Sequence, residues 1–174
     1  MISRLITKLK IKKWKNMGLI LGNNVNIEKG VSLDPSLPWL IEIGNNVTIA
    51  PDTLVLSHDG STKMILGYSK VGCVKIGNNV FIGAKCVILP STIIGDNVVV
   101  GAGSIVNGII PDNVVIAGNP AKIICTIDEF KKKHKNYFDN KNKYDDNYKR
   151  KKITHNLKQK MKKELLKSHG GYID

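Results

Sequence analysis

The chain has 174 residues and a formal net charge of +13 at pH 7, with few aromatic residues. This length fits one domain with appendages, and the sequence contains no apolar run of about 18 residues that could span a membrane. Its three cysteines are dispersed and odd in number, which argues against a disulfide framework and favours a reducing compartment. No signal-peptide pattern follows the basic amino terminus, so we expect a cytoplasmic protein.

The amino-terminal segment, residues 2–15, predicts an amphipathic helix. Its apolar face is formed by residues at helical spacing: Ile2, Leu5, Ile6 and Leu9. We expect residues 1–20 to cap the structure that follows, because an uncovered end of a repeat exposes apolar surface and strand edge. Residues 1–15 also carry six basic groups and no acidic one. This charge predicts a peripheral contact with an anionic membrane, and the two roles are compatible.

Aliphatic residues recur at steps of six through the middle of the chain. The anchors of this period are Leu21, Ile27, Leu33, Ile43, Ile49, Val55, Ile76, Ile82, Ile88, Ile94, Val100 and Val106. A hexapeptide period is the signature of a solenoid, so residues 21–125 predict an all-β solenoid of short strands around a narrow aliphatic core. Three hexapeptides would form one three-sided coil, which predicts four coils: 21–38, 43–60, 76–93 and 94–111.

Two interruptions break the period. Four residues are inserted around Pro35–Trp39, and a longer excursion spans Gly60–Lys75. Loops on a rigid scaffold often carry function. We therefore expect the functional site to lie beside these two interruptions.

Residues 126–174 predict a basic helical extension. The extension begins with Thr126 and, three residues later, Glu129, which is the spacing of a capping box. A helix is therefore expected from there to about Tyr137. Residues 128–174 carry 15 basic and 7 acidic groups, so much of the net charge belongs to this end of the chain.

The rest of the extension predicts a loop and a further helix. Residues 139–155 are polar and lack apolar periodicity, which is typical of a loop or a partly disordered segment. A second amphipathic helix is expected to follow and to end near Gly170. Its apolar residues lie at steps of four: Leu157, Met161 and Leu165.

Several segments of the repeat match a known family. They are the Ile-Gly-Asn-Asn-Val units at 43–47 and 76–80, Ile-Gly-Ala at 82–84, Val-Gly-Ala-Gly-Ser-Ile-Val at 100–106 and Ala-Gly-Asn-Pro-Ala-Lys at 117–122. With these segments the chain resembles the hexapeptide-repeat acyltransferases. Among them it most resembles the sugar O-acetyltransferases: the maltose and galactoside enzymes and those of capsule or O-antigen clusters. The resemblance covers about residues 20–125 and leaves out the basic extension.

The resemblance implies a left-handed parallel β-helix, an exception to the right-handed crossover rule, assembled as a homotrimer with active sites between adjacent subunits. It implies acetyl-coenzyme A as the acyl donor and a hydroxyl of a sugar or bacterial surface-glycan precursor as the acceptor. No metal is expected, because the zinc hydration enzymes on this solenoid need several histidine ligands per site. The repeat holds one histidine, His58.

His58 is the candidate general base. It stands where the second coil breaks into the long excursion, and the catalytic histidine of the family falls at the same place. Acetyl transfer to a hydroxyl needs a base that removes the proton while the oxygen attacks the thioester. An imidazole has an ordinary pKa of about 6.5 and is partly neutral at pH 7, so it suits this task. The acceptor is expected to attack directly, without an acyl group on Ser57 or Cys73.

Two carboxylates are candidates for binding the sugar or for orienting His58. Asp34 precedes the first interruption and resembles an acceptor-binding carboxylate of the family. Asp59 adjoins His58, but adjacent residues of a strand point to opposite faces, which disfavours direct pairing of the two. Both carboxylates are therefore predicted to be substrate-binding residues, and the sequence leaves open which of them supports the histidine.

Four residues are predicted to contact coenzyme A: Ala84, Ala102, Asn107 and Lys122. The resemblance implies the contacts of Ala84 and of Lys122, the latter with a phosphate; Lys85 is a weaker candidate for a phosphate contact. Glycines flank Ala102, so a ligand can approach the backbone closely there. Asn107 stands where the galactoside enzymes commonly have a threonine followed by a lysine. Backbone N–H groups of the coil that contains Ala84 are candidates for stabilising the oxyanion.

Other functions stay open at this point. Relatives with the same coils acetylate amino sugars or antibiotics such as streptogramins and chloramphenicol, and the two interruptions would decide between these acceptors. A structural β-solenoid would favour flat ladders of threonine without a long internal loop. Nucleic-acid binding through the basic extension is not expected, because its lysines are interleaved with Asp and Asn and no RNA-binding motif is present.

Overall fold

The computed structural model describes residues 2–174 of the chain, with side chains from Leu9 onward. The chain forms two compact units, and the division between them falls after Ile127. The first unit contains the hexapeptide repeat, and the second consists of Asp128–Asp174.

The repeat region forms many strands of two or three residues. In chain order they are β1 (Ile20–Leu21), β2 (Asn26–Ile27), β3 (Ser32–Leu33), β4 (Ile41–Ile43), β5 (Thr48–Ile49), β6 (Leu54–Val55), β7 (His58–Asp59), β8 (Lys70–Val71), β9 (Val74–Ile76), β10 (Phe81–Ile82), β11 (Val87–Ile88), β12 (Ile93–Ile94), β13 (Val99–Val100), β14 (Ile105–Val106) and β15 (Ile109–Ile110). Two longer strands close the region: β16 (Val114–Gly118) and β17 (Ala121–Thr126).

Three sheets are built from these strands, and the chain visits them in rotation. Sheet 1 has the order β1-β4-β9-β12-β15, sheet 2 the order β2-β5-β10-β13-β16-β17, and sheet 3 the order β3-β6-β11-β14. Neighbouring strands pair in parallel, except for the antiparallel pair β16–β17. One passage through the three sheets makes one coil, so the parallel sheets expected from the hexapeptide period are confirmed.

The anchors of the period form the core. All are buried except Leu21, which is partly buried. The parallel strands pair without a shift in register, so Ile76 lies opposite Ile43 on one side and opposite Ile94 on the other. Anchors from successive coils therefore stack on one another and remove a continuous column of aliphatic surface from water.

Asparagines at one corner of the coils form a ladder. Asn24, Asn46, Asn79, Asn97 and Asn113 have φ values between 53° and 61°. The side-chain amide of each of the first four donates to the side-chain oxygen of the next member at 2.9–3.1 Å. Asparagine tolerates the left-handed region better than most residues, which explains why it occupies this corner in the Ile-Gly-Asn-Asn-Val units and at the equivalent positions of the other coils.

The glycine that follows an anchor is required by the distance between coils. A Cβ atom added at Gly44 would lie 2.7 Å from the carbonyl oxygen of Gly77 in the next coil. At Gly22 the corresponding distance to the Gly44 oxygen is 2.6 Å. The parallel strands are about 4.8 Å apart, so at these positions the space between backbones has no room for a side chain.

The stack continues beyond Val106, the last predicted anchor. Ile110 in β15 and Ile116 in β16 are buried and extend the core by most of another coil. The prediction missed this coil because the step from Val106 to Ile110 is four residues instead of six. The hairpin of β16 and β17 then closes this end of sheet 2.

An amino-terminal helix, α1 (Ile2–Asn16), precedes the first coil. Trp14 is buried in the core cluster, and Ile11 is partly buried against it, so α1 covers apolar surface of the repeat. Leu9, which belongs to the predicted apolar face, is 60% exposed. The other members of that face lie outside the residues whose side chains are described. The membrane contact expected for residues 1–15 stays a prediction.

The second unit contains helices joined by short strands. Helix α3 (Ile127–Asn140) leads into it, and α4 (His155–Ser168) follows after a 3₁₀ turn at Asp146–Tyr148. Strands β18 (Asn142–Tyr144) and β19 (Gly171–Ile173) pair in parallel. The loop predicted for residues 139–155 was therefore wrong in part, because a strand of three residues is too short to show a period. No helix among residues 2–174 is long and apolar enough to cross a bilayer.

The close approach of the coils predicts a specific effect of Gly44→Ala. The added methyl group would collide with the Gly77 backbone, and overpacking of this kind costs about 2 kcal/mol. Denaturant unfolding at a fixed protein concentration measures this loss of stability.

Gly60→Ala is the matched control, because the nearest atom to an added Cβ there is Ser69 Oγ at 4.0 Å. It should change stability by less than about 0.5 kcal/mol. Equal stability of the two variants would contradict the proposed tight contact between coils.

Candidate active site

The long excursion leaves the repeat at His58. Strand β7 pairs in antiparallel fashion with β8, so that His58 lies opposite Val71 and Asp59 opposite Lys70. The excursion is therefore a hairpin, and its tip contains the short helix α2 (Lys63–Leu66). His58 lies at the base of the hairpin, at the corner between sheets 3 and 1. The backbone pairing of the hairpin and the second coil together hold this end of the hairpin in place.

Asp34 lies at the same corner, one coil earlier. Its backbone N–H donates to the Val55 carbonyl oxygen at 2.8 Å, which continues the pairing of β3 with β6. The Asp34 side chain is fully buried, and its Oδ2 lies 2.5 Å from Nδ1 of His58. The stacking of the coils thus brings together two residues that are 24 positions apart in the sequence.

Serines supply further donors to the Asp34 carboxylate. The Ser36 backbone N–H donates to Oδ1 at 3.0 Å. Ser57 donates to Oδ2 through its backbone N–H at 3.0 Å and through its hydroxyl at 2.9 Å. Burial raises the pKa of Asp34, but the hydrogen bonds from His58, Ser36 and Ser57 outweigh it and lower the pKa to about 2. The carboxylate is therefore ionised at neutral pH.

An ionised Asp34 determines which nitrogen of His58 carries the proton. A carboxylate can only accept hydrogen bonds, so Nδ1 of His58 must be the donor. In the neutral ring, Nε2 then holds the free lone pair. The His58 side chain is 39% exposed, and its Nε2 has no hydrogen-bond partner among the residues that the structure describes. The arrangement presents a hydrogen-bond acceptor to a ligand.

Asp59 has different surroundings. Its carboxylate accepts from the Ser61 backbone N–H at 2.8 Å, within its own turn. This backbone bond and the Ser61 side chain lower the pKa of Asp59, which is exposed. Of the two carboxylates, it is Asp34 whose oxygen is hydrogen-bonded to the His58 ring.

Two of the predicted coenzyme-contacting residues lie together at another corner. Ala84 and Ala102 follow strands of sheet 2 on adjacent coils, where the Gly103 N–H donates to the Ala84 oxygen at 2.8 Å. The amide N–H groups of Ala84 and Ala102 donate to no other group within residues 2–174. Ala102 is exposed and Ala84 partly buried, so this corner offers adjacent backbone donors at the surface.

The other two residues predicted to contact the coenzyme lie away from this corner. Asn107 is exposed at the corner between sheets 3 and 1, two coils beyond His58. Lys122 is exposed in β17, opposite Ala117. One side of a coil has six residues and spans at most about 20 Å, and such a side separates the corner of Ala84 from that of His58. Within one chain, the structure does not bring the predicted base and Ala84 together.

Sequence reasoning missed the two serines that hold Asp34. Ser36 follows Asp34 by two residues, which is the spacing of an Asx turn, so a local signal for it was present. Ser57 adjoins His58, but its link to Asp34 depends on the pairing of two coils. The Ser57 hydroxyl is buried and also lies 3.2 Å from the Leu37 carbonyl oxygen.

Cation ligands are not grouped in this region. Among the described residues, no cluster of three or more His, Cys, Asp or Glu side chains could hold a metal ion.

Comparison with known proteins connects this geometry to a family. A family model described as bacterial transferase hexapeptide (six repeats) matches residues 73–108, which hold Ala84, Ala102 and Asn107. YvoF of Bacillus subtilis (strain 168), provisionally assigned as an acetyltransferase, is 32% identical over 137 residues, which cover 77% of each chain. These matches confirm the resemblance seen in the sequence.

Two further relatives cover smaller parts of the chain. WbbJ of Escherichia coli (strain K12), provisionally assigned as a lipopolysaccharide biosynthesis O-acetyl transferase, is 61% identical over 96 residues, or 48% of this chain and 49% of WbbJ. The structure of a galactoside acetyltransferase in complex with coenzyme A superposes with a TM-score of 0.51 at 32% identity. That superposition covers 66% of this chain and 65% of the other.

The lowered pKa of Asp34 predicts how stability depends on pH. Its value of about 2 lies below the ordinary 3.8, so the folded chain binds a proton at Asp34 less readily than the unfolded chain does. The resulting stabilisation, on the order of 1–2 kcal/mol, is present above about pH 4 and is lost as the pH falls towards 2. Unfolding of the wild type and of Asp34→Asn across this range measures the difference.

Asp34→Asn lacks this contribution, so its stability should fall less steeply than that of the wild type between pH 4 and 2. Asp59→Asn is the comparison, and its curve should depart less from that of the wild type, because solvent screens the interactions that lower the pKa of the exposed Asp59. Parallel curves for Asp34→Asn and the wild type would contradict an ionised, hydrogen-bonded Asp34.

Proposed function

The chain belongs to the hexapeptide-repeat acetyltransferases, and from this we propose that it transfers an acetyl group from acetyl-coenzyme A to a hydroxyl of a sugar or bacterial surface-glycan precursor. The observation that carries the proposal is the contact of 2.5 Å between Asp34 Oδ2 and His58 Nδ1, at the base of the excursion. The complex of the galactoside acetyltransferase with coenzyme A supports the donor. The assignment of WbbJ to lipopolysaccharide biosynthesis supports a surface glycan as the acceptor.

The reaction proceeds by direct attack. Nε2 of His58 removes the proton from the acceptor hydroxyl while the oxygen attacks the carbonyl carbon of the thioester. The ionised Asp34 stabilises the imidazolium that forms, as the carboxylate of a catalytic triad does. The tetrahedral intermediate then collapses, the C–S bond breaks, and the coenzyme A thiolate leaves with the proton from the imidazolium. The product is an acetyl ester, and His58 returns to its neutral form.

The coenzyme is held at the corner of Ala84 and Ala102. Their unpaired N–H groups are donors for the amides of the pantetheine arm, and the N–H groups of the coil that contains Ala84 stabilise the oxyanion of the intermediate. Lys122 supplies a positive charge for a phosphate, and Asn107 contacts the coenzyme as a neutral residue. The exposure of Ala102, Asn107 and Lys122 supports these roles.

The active site is assembled between subunits of a homotrimer of left-handed β-helices. Within one chain, a full side of a coil separates Ala84 from His58, so the histidine of one protomer would act on the coenzyme held by its partner. The excursion supports this arrangement, because Met64, Ile65 and Tyr68 at its tip are 95%, 84% and 80% exposed. Exposed apolar groups of this kind are typical of a surface that contacts another chain.

The acceptor binds beside the two interruptions. The exposed Asp59 is placed to accept a hydrogen bond from a sugar hydroxyl, and Trp39 in the first interruption is 53% exposed. The chain's free thiols, Cys73, Cys86 and Cys125, are typical of a reducing compartment and support a reaction in the cytoplasm.

His58→Ala tests the base. Purified protein is incubated with acetyl-coenzyme A and pooled sugar, amino-sugar and glycan acceptors, and the release of free thiol is followed. Loss of the general base should lower turnover with the active acceptor at least about a hundredfold. Retained turnover would rule out the mechanism, and activity with amino sugars alone would redirect the proposal to N-acetylation.

His155→Ala is the matched control, because it removes an exposed histidine from the second unit. It should retain wild-type turnover. Circular dichroism of both variants then separates a loss of chemistry from a loss of folding.

Mixed oligomers test the shared site. Ala84→Trp should block the coenzyme corner, and His58→Ala removes the base, so each variant alone should be inactive. When the two are refolded or co-expressed together, an interface with wild-type His58 on one side and wild-type Ala84 on the other should restore part of the activity. If mixing restores none, the site lies within one chain and the proposed assembly is wrong.

A further inference from the structure

The second unit carries an open apolar groove along α4. The groove has a volume of about 400 Å³. It is lined by Ile153, Lys158, Met161, Lys162, Leu165 and Leu166. Each residue from α4 has another of them three or four positions away, which places them on one face of the helix. Leu166 is 70% exposed, so apolar surface of this groove faces water in the described unit.

Unneutralised positive charge flanks the groove. Lys158 and Lys162 lie one helical turn apart on its rim, and neither forms an ion pair within residues 9–174. The single acidic residue of α4, Glu164, pairs instead with Lys160 at 3.9 Å. The groove therefore joins an apolar floor to a cationic rim.

We propose that this groove docks the second unit onto an anionic phospholipid membrane. The headgroups of such a membrane neutralise Lys158 and Lys162, while the acyl chains beneath them cover Leu166 and Met161. Lysine side chains suit this boundary, because their methylene stems lie on apolar surface while the ammonium groups reach outward. The docking does not depend on the proposed acetyl transfer.

A membrane fits the groove better than a polyanion does. An acidic glycan or a nucleic acid would neutralise the two lysines but would leave Leu166 in contact with water. The charge of the unit, with 15 basic and 7 acidic residues in 128–174, provides the longer-range attraction to an anionic surface. The position of Leu166 one helical turn beyond Lys162, on the same face of α4, therefore favours lipid.

The test uses the full chain and sedimentation with vesicles. Wild-type protein should bind vesicles of phosphatidylcholine and phosphatidylglycerol and should not bind vesicles of phosphatidylcholine alone. The double variant Lys158→Gln with Lys162→Gln should lower the partition coefficient at least about tenfold, because each lysine near an anionic surface contributes substantially to the affinity for the membrane. Leu166→Ser should lower it several-fold, because it removes the most exposed apolar side chain of the groove.

Lys163→Gln with Lys167→Gln is the matched control. It removes the same charge from the opposite face of α4 and should change the partition coefficient by less than about twofold. Circular dichroism checks that all variants keep their helices.

Several outcomes would overturn the proposal. Equal losses in the two double variants would show that only total charge matters. An unchanged Leu166→Ser, or binding to soluble heparin without binding to vesicles, would identify a polyanion site instead. Vesicle binding that depends on residues 1–15 and is insensitive to the groove variants would assign membrane contact to the amino-terminal helix.

Discussion

The rest of the first unit depends on the stacking of coils in register at the spacing of β-strands. Because each anchor lies opposite the anchor of the next coil, the aliphatic core is continuous. The same spacing excludes a side chain at Gly44 and aligns the amides of the asparagine ladder. It also determines the candidate site, since the pairing of β3 with β6 places Asp34 beneath His58. The aliphatic core, the residues at the corners and the candidate site therefore all follow from the same spacing between coils.

The candidate site lies where the chain departs from the repeat. A regular coil needs its residues for the core and the corners, so it has few positions left for recognition. The excursion leaves the stack at His58 and returns beside it, and its pairing through β7 and β8 leaves the coils above and below intact. Long loops cost little when both ends are held by a rigid scaffold. In the proposed function, the repeat thus positions the His58 imidazole while the inserted segments bind the acceptor.

In the proposed function a single protomer is an incomplete catalyst, because the base and the coenzyme-binding residues lie at different corners of the coils. His58 has a buried, ionised partner that fixes its tautomer, and this pair is complete within one chain. The backbone donors at Ala84 and Ala102 face outward at a different corner. A trimer would join the two without any change in either, so assembly would require only that preformed surfaces meet. The second unit, with its cationic groove, adds a separate surface that the repeat itself does not provide.

The sequence by itself determined the parallel coils and the identity of the candidate base, because both leave local signals: a period of six, and one histidine in the repeat at a break in that period. It could not decide between Asp34 and Asp59 as the partner of His58, since that choice depends on which residues of separate coils lie opposite each other. The additional coil at Ile110 and Ile116 was hidden by a step of four, and β18 by its short length. Only the tertiary structure decided these points. Register between these coils is a property of backbone pairing between residues 22 or 33 positions apart, and no local pattern encodes it.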